Sequence, residues 1–424
     1  MAEIRPFQAW RFHPRFTQRI AELSSPLFDV VDEKQRERLY HNEYNSIHLS
    51  VPLGAQPAET ALGTFNKWKA EKVIVRDPKP AIYVYYQHFN LPGEKKSYCR
   101  KGFISFIKAY DWSENIIMRH ENTIPKAVND RKELLEKTKL NVSATHGLYT
   151  DQNFELEYYM DEAMRNPIYD EEDYQGVRDV LAIIEDPEVI QRFVTKIAEQ
   201  KIILADGHHR YEGSMAYRNA MTEQNPNHTG DEWYNFHMMF LTNTEAHDLR
   251  ILPTHRLVKG IEDFDDVHLL EQIDRFFTIK EIPDPSMLHE VILGKKWAFG
   301  LLLEDQAYKI RLKPEVFDMM DWHFPNEIKE LDLTVLHYFV FERILGIKRD
   351  EQRRSEKLEF ERSYTACVSK VIRKQAQMAF ITKDISIEEV KKVCRSGFTM
   401  PQKSTFFYPK VICGYHFGDV SEGQ

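Results

Sequence analysis

The chain lacks the features that would tie it to an oxidising compartment, a membrane or a nucleic acid. Its 424 residues include only four cysteines, Cys99, Cys367, Cys394 and Cys413. They lie too far apart for a CxxC metal or redox motif and give no disulfide framework. They read as reduced thiols. No segment approaches the ~20 apolar residues of a membrane span, and the N-terminus "MAEIRPFQAWRFHP" has no apolar signal core. The expected location is cytoplasmic. Basic blocks are absent as well: the net charge is −9, with acidic and basic residues interspersed, so a nucleic-acid backbone finds no footprint. Neither nucleic acid nor membrane is an expected partner. Missing too are GxxxxGK[ST], a GxGxxG turn, a GxSxG elbow and kinase-type HRD or DFG sets. Any phosphate handling must therefore rest on side chains.

What is present suffices for two or three domains, with 42% hydrophobic and 12% aromatic residues. "AIYVYYQHF" (81–89) and "CRKGFISFIKAY" (99–110) read as two strands of a hairpin around Pro92 and Gly93. "DPEVIQRFVTKIAEQ" (186–200) opens with Asp186 as cap and Pro187 at the first helical position. Its apolar residues from Val189 to Ile197 share one stripe, the mark of an amphipathic helix. It feeds the apolar strand "KIILADG", followed by a helix from about Tyr211 to Met221. This is α/β or α+β grammar. "NEIKELDLTVLHYFVFERILG" (326–346) looks helical and buried, and "SIEEVKKVCRSG" (386–397) carries a capping box from Ser386 to Glu389 and a terminal Gly397.

The chemistry concentrates in "DGHHR", residues 206–210, at the end of that apolar strand. A carboxylate there can hold a cation or take a proton, imidazoles can bind metal or a carboxylate, and Arg can clamp carboxylate or phosphate. The bland alternative is a solvated turn in which Asp206 and Gly207 only make the bend. Asp-x-His-His has no third partner at zinc-site spacing. In "RHENTIPKAVNDRKELLEKTK" (119–139), a helix from Pro125 places Arg131 on the face of Leu134, Leu135 and Thr138. His120 precedes this helix and Lys126 sits in its first turn, where N–H groups favour phosphate. A snorkelling surface Arg with ordinary capping residues is the alternative. His255 and Arg256 follow Pro253 between apolar runs and could serve a ligand or their own backbone. Asp29, between Phe28 and Val30, is either a buried structural acceptor or a base with raised pKa. "FTMPQKSTFFYPK" (398–410) combines Lys403, Ser404, Thr405 and Lys410 with several aromatics in a Pro-bounded loop, unusual chemistry for a connecting segment.

Taken in order, "IRPFQAW", "SPLFDVV", "HENT…DR", "ILADGHHRYEGSMAYR", "ILPTHRLV" and "MPQKSTFFYPK" resemble domain-of-unknown-function family one-thousand-and-fifteen over nearly the whole length. Leu27 and Phe28 depart from the Pro-Tyr more usual there. The DGHHR turn also resembles that of free-serine kinases of the ParB/sulfiredoxin superfamily. This second resemblance implies an α+β fold with a ParB/sulfiredoxin-like mixed-sheet catalytic core and additional helical elements in the C-terminal third. The expected division is a catalytic core over 1–260 and a C-terminal α+β region over 261–424 that contributes the Lys403–Thr405 loop.

The activity it implies is phosphoryl transfer from pyrophosphate, ADP or ATP to the hydroxyl of free L-serine or a similar metabolite, with Mg²⁺ or Mn²⁺ as cofactor. Such chemistry needs cationic groups, a cation and a carboxylate. On that reading Asp206, His208 and Asp29 are the catalytic candidates, with Asp206 also ligating the metal. His209, Arg210, Glu212, His255 and Arg256 are expected to bind substrate, and His120, Lys126, Arg131, Lys403, Ser404 and Thr405 phosphate. Expected partners are the substrate and the phosphoryl donor, with a homodimer left open. A metal-dependent phosphatase or hydrolase and a non-catalytic phospho-metabolite sensor are the alternatives.

Overall fold

The computed structural model describes residues 1–173 and 175–421. The chain divides into two units, Met1–Leu249 with Pro409–Gln424, and Arg250–Tyr408. Against the expected single boundary near 260, the first unit ends earlier and the chain returns to it for its last segment. Backbone pairing explains the return. Ser25 and Cys413 exchange N–H···O bonds of 3.0 and 2.8 Å, and Trp10 and Phe417 do the same at 3.0 and 2.8 Å.

The first unit is built on a nine-stranded mixed sheet. Its strands are β1 (Ile4–Arg5), β2 (Ile82–Asn90), β3 (Ser97–Lys108), β4 (Ile117–Arg119), β5 (Thr145–Tyr149), β6 (Tyr169–Glu172), β7 (Arg178–Ile184), β8 (Ile202–Asp206) and β9 (Phe236–Asn243). The order is β4-β8-β5-β9-β3-β2-β7-β6, with β1 on β3. Only β8 with β4 and β9 with β5 run parallel. The hairpin read in the sequence is β2–β3, and Gly93 in its turn takes φ 80°, open to glycine at no steric cost.

Alternate residues of these strands enter two different cores. Tyr83, Tyr85, Phe106 and Phe240 face one, and Val84, Phe103, Ile107 and Leu241 the other. Both faces are therefore covered, so the strands read as unbroken apolar runs instead of alternating ones. Three helices matter for the site: α1 (Pro125–Thr138), α2 (Pro187–Ala198) and α3 (His208–Gln224). Asp186 caps α2 by accepting from the Glu188 and Val189 N–H groups, and Ile190, Phe193 and Ile197 bury its stripe. The chain then enters β8, whose Ile202, Ile203 and Leu204 are all buried.

The second unit holds a six-stranded antiparallel sheet of β10 (His255–Val258), β11 (Phe277–Glu281), β12 (Ala298–Leu302), β13 (Ala307–Leu312), β14 (Leu358–Glu361) and β15 (Met378–Ile381). The order is β11-β13-β12-β15-β10-β14. Residues 326–346 are helical but broken: α-helical at Asn326–Lys329 and Asp332–Val335, then π-helical over Leu336–Ile344. The Ser386 to Glu389 capping box forms as read, and Gly397 ends that helix at φ 74°. The fold is α+β, and among the described residues no helix is long and apolar enough to cross a membrane.

Candidate active site

Asp206 is the last residue of β8, and α3 begins two residues later, earlier than the Tyr211 expected. Gly207 makes this possible. It takes φ +90°, and an added Cβ would lie 2.6 Å from Thr145 Cγ2 and 2.8 Å from an Arg210 nitrogen. As N-cap, Gly207 brings no side chain to the first turn of α3. The helix N-terminus thus keeps its N–H groups and positive dipole end for an anion.

Asp206 is held by two cations. Its Oδ1 accepts from Lys410 Nζ and its Oδ2 from Arg210 Nη2 at 3.0 Å. Burial pushes its carboxyl up, but Lys410 and Arg210 together outweigh burial and hold it well below the usual carboxylate range. Arg210 also donates to Ser143 Oγ at 3.0 Å and to the Ala144 carbonyl at 2.7 Å, while its Nε is buried without a hydrogen-bond partner. Lys410 is the residue that sequence reading missed as a site member. It stands 204 positions from Asp206, and only the return of the last segment brings it there.

Further polar residues stand at two levels of the sheet near Asp206. Strand register sets His146 beside Asp206, Gln87 beside Arg100, and Asp179 beside Gln87. Arg100 is fully buried and donates through one nitrogen to Gln87 Oε1 and the Pro409 carbonyl. Its Nε and Nη1 have no hydrogen-bond partner. Burial lowers the guanidinium to about 10. Gln87 donates to Asp179 at 2.8 Å and to the Lys410 carbonyl at 3.0 Å, and Tyr85 hydroxyl also donates to Asp179. Burial pushes Asp179 up to about 7 against these two donors. Burial and Arg100 keep His146 well below its usual value, and its Nε2 lies 2.7 Å from Thr242 Oγ1. None of these residues announced itself, because each sits inside an aromatic and aliphatic strand.

The 119–124 segment is tied to the first turns of α3. Glu212 accepts from Arg119 at 2.9 Å, from Trp112 at 3.1 Å and from Thr123, so it anchors this loop. His209 Nε2 accepts from the Ile124 N–H at 3.0 Å, a second anchor. Both were expected to bind substrate; their polar atoms hold the loop instead. His120 and His208 meet edge to face, ring centroids 4.9 Å apart. Burial lowers both imidazoles, which keeps them neutral, and His208 Nε2 is buried without a hydrogen-bond partner. The structure therefore gathers Asp206, His208, Arg210 and His120 as expected, and adds Lys410, Arg100 and His146.

The other expected residues fare differently. Asp29 lies exposed in a turn, not buried in an apolar run, yet it and Arg131 both act electrostatically on the Cys413 thiol. Arg131 does sit along the inner face of α1 with Leu134, Leu135 and Thr138 buried, but it spends Nη1 on the Ser50 carbonyl (2.9 Å) and Nε on Asp130 (2.7 Å), its guanidinium 4.4 Å from the Phe28 ring centre. Lys126 is exposed in the first turn of α1. In the second unit, Arg256 donates to His337 (3.3 Å), to the Thr254 carbonyl and to the Gln402 and Lys403 carbonyls (3.1 and 3.3 Å). His255 accepts from the Thr382 N–H at 3.2 Å, and Ser404 hydroxyl donates to the Pro401 carbonyl. These side chains hold the unit's own backbone, which corrects a substrate role for His255 and Arg256 and a phosphate role for Ser404. Lys403 takes φ 55° in the turn Arg256 grips, and Thr405 directly precedes the strand Phe406–Tyr408.

The family model described as protein of unknown function (DUF1015) matches residues 4–334. The chain belongs to this family. No curated protein matches the DUF1015 chain. Several solved structures are similar to it at low identity, three of which follow. A free serine kinase in complex with AMP aligns with 77% of this chain and 95% of its own, at 14% identity and TM-score 0.36. A conserved hypothetical protein from Pyrococcus furiosus aligns with 72% and 93%, at 13% identity and 0.35. SbnI with C-terminal truncation, from Staphylococcus aureus, aligns with 76% and 90%, at 11% identity and 0.36.

The divalent cation expected on Asp206 does not fit the residues present in this DUF1015 chain. Both carboxylate oxygens are engaged by cations, and among the described residues no group of three His, Cys, Asp or Glu side chains could hold a metal. A hard cation wants several free oxygen ligands, whereas the neighbours of Asp206 are Lys410, Arg210 and neutral imidazoles.

Proposed function

We propose that this protein is a small-molecule kinase that passes a phosphoryl group from ATP, ADP or pyrophosphate to the hydroxyl of free L-serine or a close analogue. The observation that carries this is the pairing of Lys410 and Arg210 with one ionised carboxylate beside the open N-terminus of α3, with Arg100 within electrostatic reach and guanidinium and imidazole nitrogens left unmatched. Two cations on one carboxylate, with a third guanidinium in electrostatic reach, leave positive charge for an anion. Phosphoryl transfer draws most of its catalysis from such positioned positive groups.

In the step itself, the acceptor oxygen bonds to the transferred phosphorus, the bond to the donor's bridging oxygen breaks, and the hydroxyl proton goes to a base. Asp206 is a poor base because Lys410 and Arg210 stabilise its charge. Its role is to organise those two cations. Asp29, exposed and within electrostatic reach of the same region, is the carboxylate left to take the proton. His208 Nε2 and the first N–H groups of α3 face the transferred phosphate.

The test is a matrix of ATP, ADP and pyrophosphate against free hydroxylated amino acids and other small alcohols, with and without Mg²⁺, read by ³¹P NMR. A phosphorylated acceptor is expected from at least one pair. Asp29→Asn should lower kcat by about 10²–10⁴-fold with donor KM little changed, the range a general base supplies. Absence of product from every pair overturns the reading, and donor hydrolysis without transfer replaces it with a hydrolase.

A further inference from the structure

Lys410 is the second residue of the returning segment Pro409–Gln424, and its ammonium stays on Asp206 only while the backbone that carries it is held. A lysine side chain gives up about 2 kcal/mol of rotamer freedom when it is fixed, so an unanchored Lys410 would spread over many positions. Two consecutive carbonyls supply the anchor. Arg100 Nη2 donates to that of Pro409, and Gln87 Nε2 donates to that of Lys410 at 3.0 Å. The backbone pairs of Cys413 and Phe417 fix the segment downstream, and these two side chains fix it at Lys410 itself.

Gln87 is the node of this grip. It is fully buried, and strand register sets Arg100 on one side of it and Asp179 on the other. Its Oε1 accepts from Arg100, and its Nε2 donates to Asp179 at 2.8 Å as well as to the Lys410 carbonyl. The amide has one workable orientation, because turning it over would set its NH₂ against an Arg100 N–H and its oxygen against the Lys410 carbonyl. Gln87 bonds to the Lys410 backbone and not to its ammonium, so it acts on the site through the lysine. We infer that Gln87 is a positioning residue that keeps the Lys410 ammonium on Asp206 by gripping the Lys410 carbonyl, with Arg100 and Asp179 orienting its amide. The inference rests on the kinase reading only for what the held ammonium serves, the phosphate charge in the transfer step. A misplacement of about 1 Å can cost on the order of 10²-fold in rate, so a buried amide with no charge of its own governs the chemistry at one remove.

The test reads Lys410 directly, by its rate of acylation with acetic anhydride mapped by peptide mass spectrometry in wild type, Gln87→Met and Gln87→Glu. Gln87→Met removes both ends of the amide, whereas Gln87→Glu keeps the acceptor for Arg100 and takes away the donor to Lys410. Lys196, ion-paired to Asp151 and Glu155 elsewhere in the same unit, is the internal standard, because a general loosening would expose it as well. Both variants are expected to acylate Lys410 at least about tenfold faster than wild type, the worth of one charge-assisted hydrogen bond, with Lys196 unchanged. Turnover in the transfer assay should fall by about 10–10²-fold. The inference is overturned if the folded variants leave Lys410 at the wild-type rate, if Lys196 speeds up in step with it, or if turnover survives while Lys410 is released. Failure of both variants to fold overturns it too, by making Gln87 a residue of the core. Should wild type transfer phosphate to no acceptor while the acylation pattern holds, Gln87 still positions Lys410 and the kinase reading alone fails.

Discussion

Arg210 and Arg256 look alike in the sequence, each buried and each directly after a histidine, yet the two units use them in opposite ways. Arg256 spends every nitrogen on the second unit's own atoms: His337 and the carbonyls of Thr254, Gln402 and Lys403. Arg210 pairs with Asp206, Ser143 and Ala144 but leaves Nε unmatched, and Arg100 in the same unit leaves two nitrogens unmatched. A buried guanidinium satisfied by backbone carbonyls is a fastener. One left short of acceptors beside other cations keeps donors that an anion could satisfy.

The largest effect should come from Asp206→Asn, which removes the charge shared by Lys410 and Arg210. Breaking a buried pair at one partner destabilises by roughly 3–5 kcal/mol, and turnover should fall by about 10³-fold or more as the two cations lose their geometry. Chemical denaturation and kinetics on the same preparation check both. A variant with full activity would make Asp206 an ordinary turn residue.

Asp206 and Asp179 should also respond to pH with opposite signs. Asp206 is held low in the folded state, so its stabilisation is complete above the unfolded value of about 3.9 and is lost only as pH falls below it. Asp179 is pushed up to about 7. Between about pH 4 and pH 7 the unfolded chain ionises Asp179 while the folded chain keeps its proton, so stability falls as pH rises across that window. Asp179→Asn should remove this fall, by up to roughly 4 kcal/mol for a shift of three units, and leave stability at pH 4 nearly unchanged. Parallel pH profiles for wild type and variant would show that Asp179 ionises normally.

A smaller effect is expected from Arg256→Gln. Losing charged hydrogen bonds to backbone carbonyls should cost about 2–3 kcal/mol, with activity per folded molecule within about twofold of wild type, because each of its donors is spent on its own unit. Loss of turnover in a fully folded variant would erase the contrast with Arg210 and restore Arg256 as a substrate ligand.

Local signals in the sequence carried the hairpin, the Asp186-capped helix, the Ser386 capping box and the strand that delivers DGHHR, because each depends on neighbours a few residues apart. They also carried the inward face of Arg131. What they could not carry was Lys410 on Asp206, or Arg100, Gln87 and Asp179 side by side, since strand register and a returning segment create those contacts. Burial misled in the other direction at Asp29, where Phe28 and Val30 suggested an enclosed carboxylate but the chain makes a surface turn. His209 and Glu212 were expected to bind substrate, whereas in the structure their polar atoms hold the 119–124 loop.

The smallest effect concerns Lys126, and it tests how far the cationic site extends. Lys126 lies in the first turn of α1, whose N-cap Ile124 offers no side-chain hydrogen bond, so this helix end presents uncapped N–H groups like that of α3. The two ends differ in their surroundings. Around α3 the cations are buried with unmatched donors, whereas Lys126 is exposed and its field is screened within about 10 Å at ordinary salt. Lys126→Ala should therefore change stability by less than about 0.5 kcal/mol and raise donor KM by no more than about two- to threefold, an effect that fades as salt is added. A rise above about tenfold that persists at high salt would mean a desolvated contact, and the donor's phosphates would then run from the first turn of α3 to that of α1.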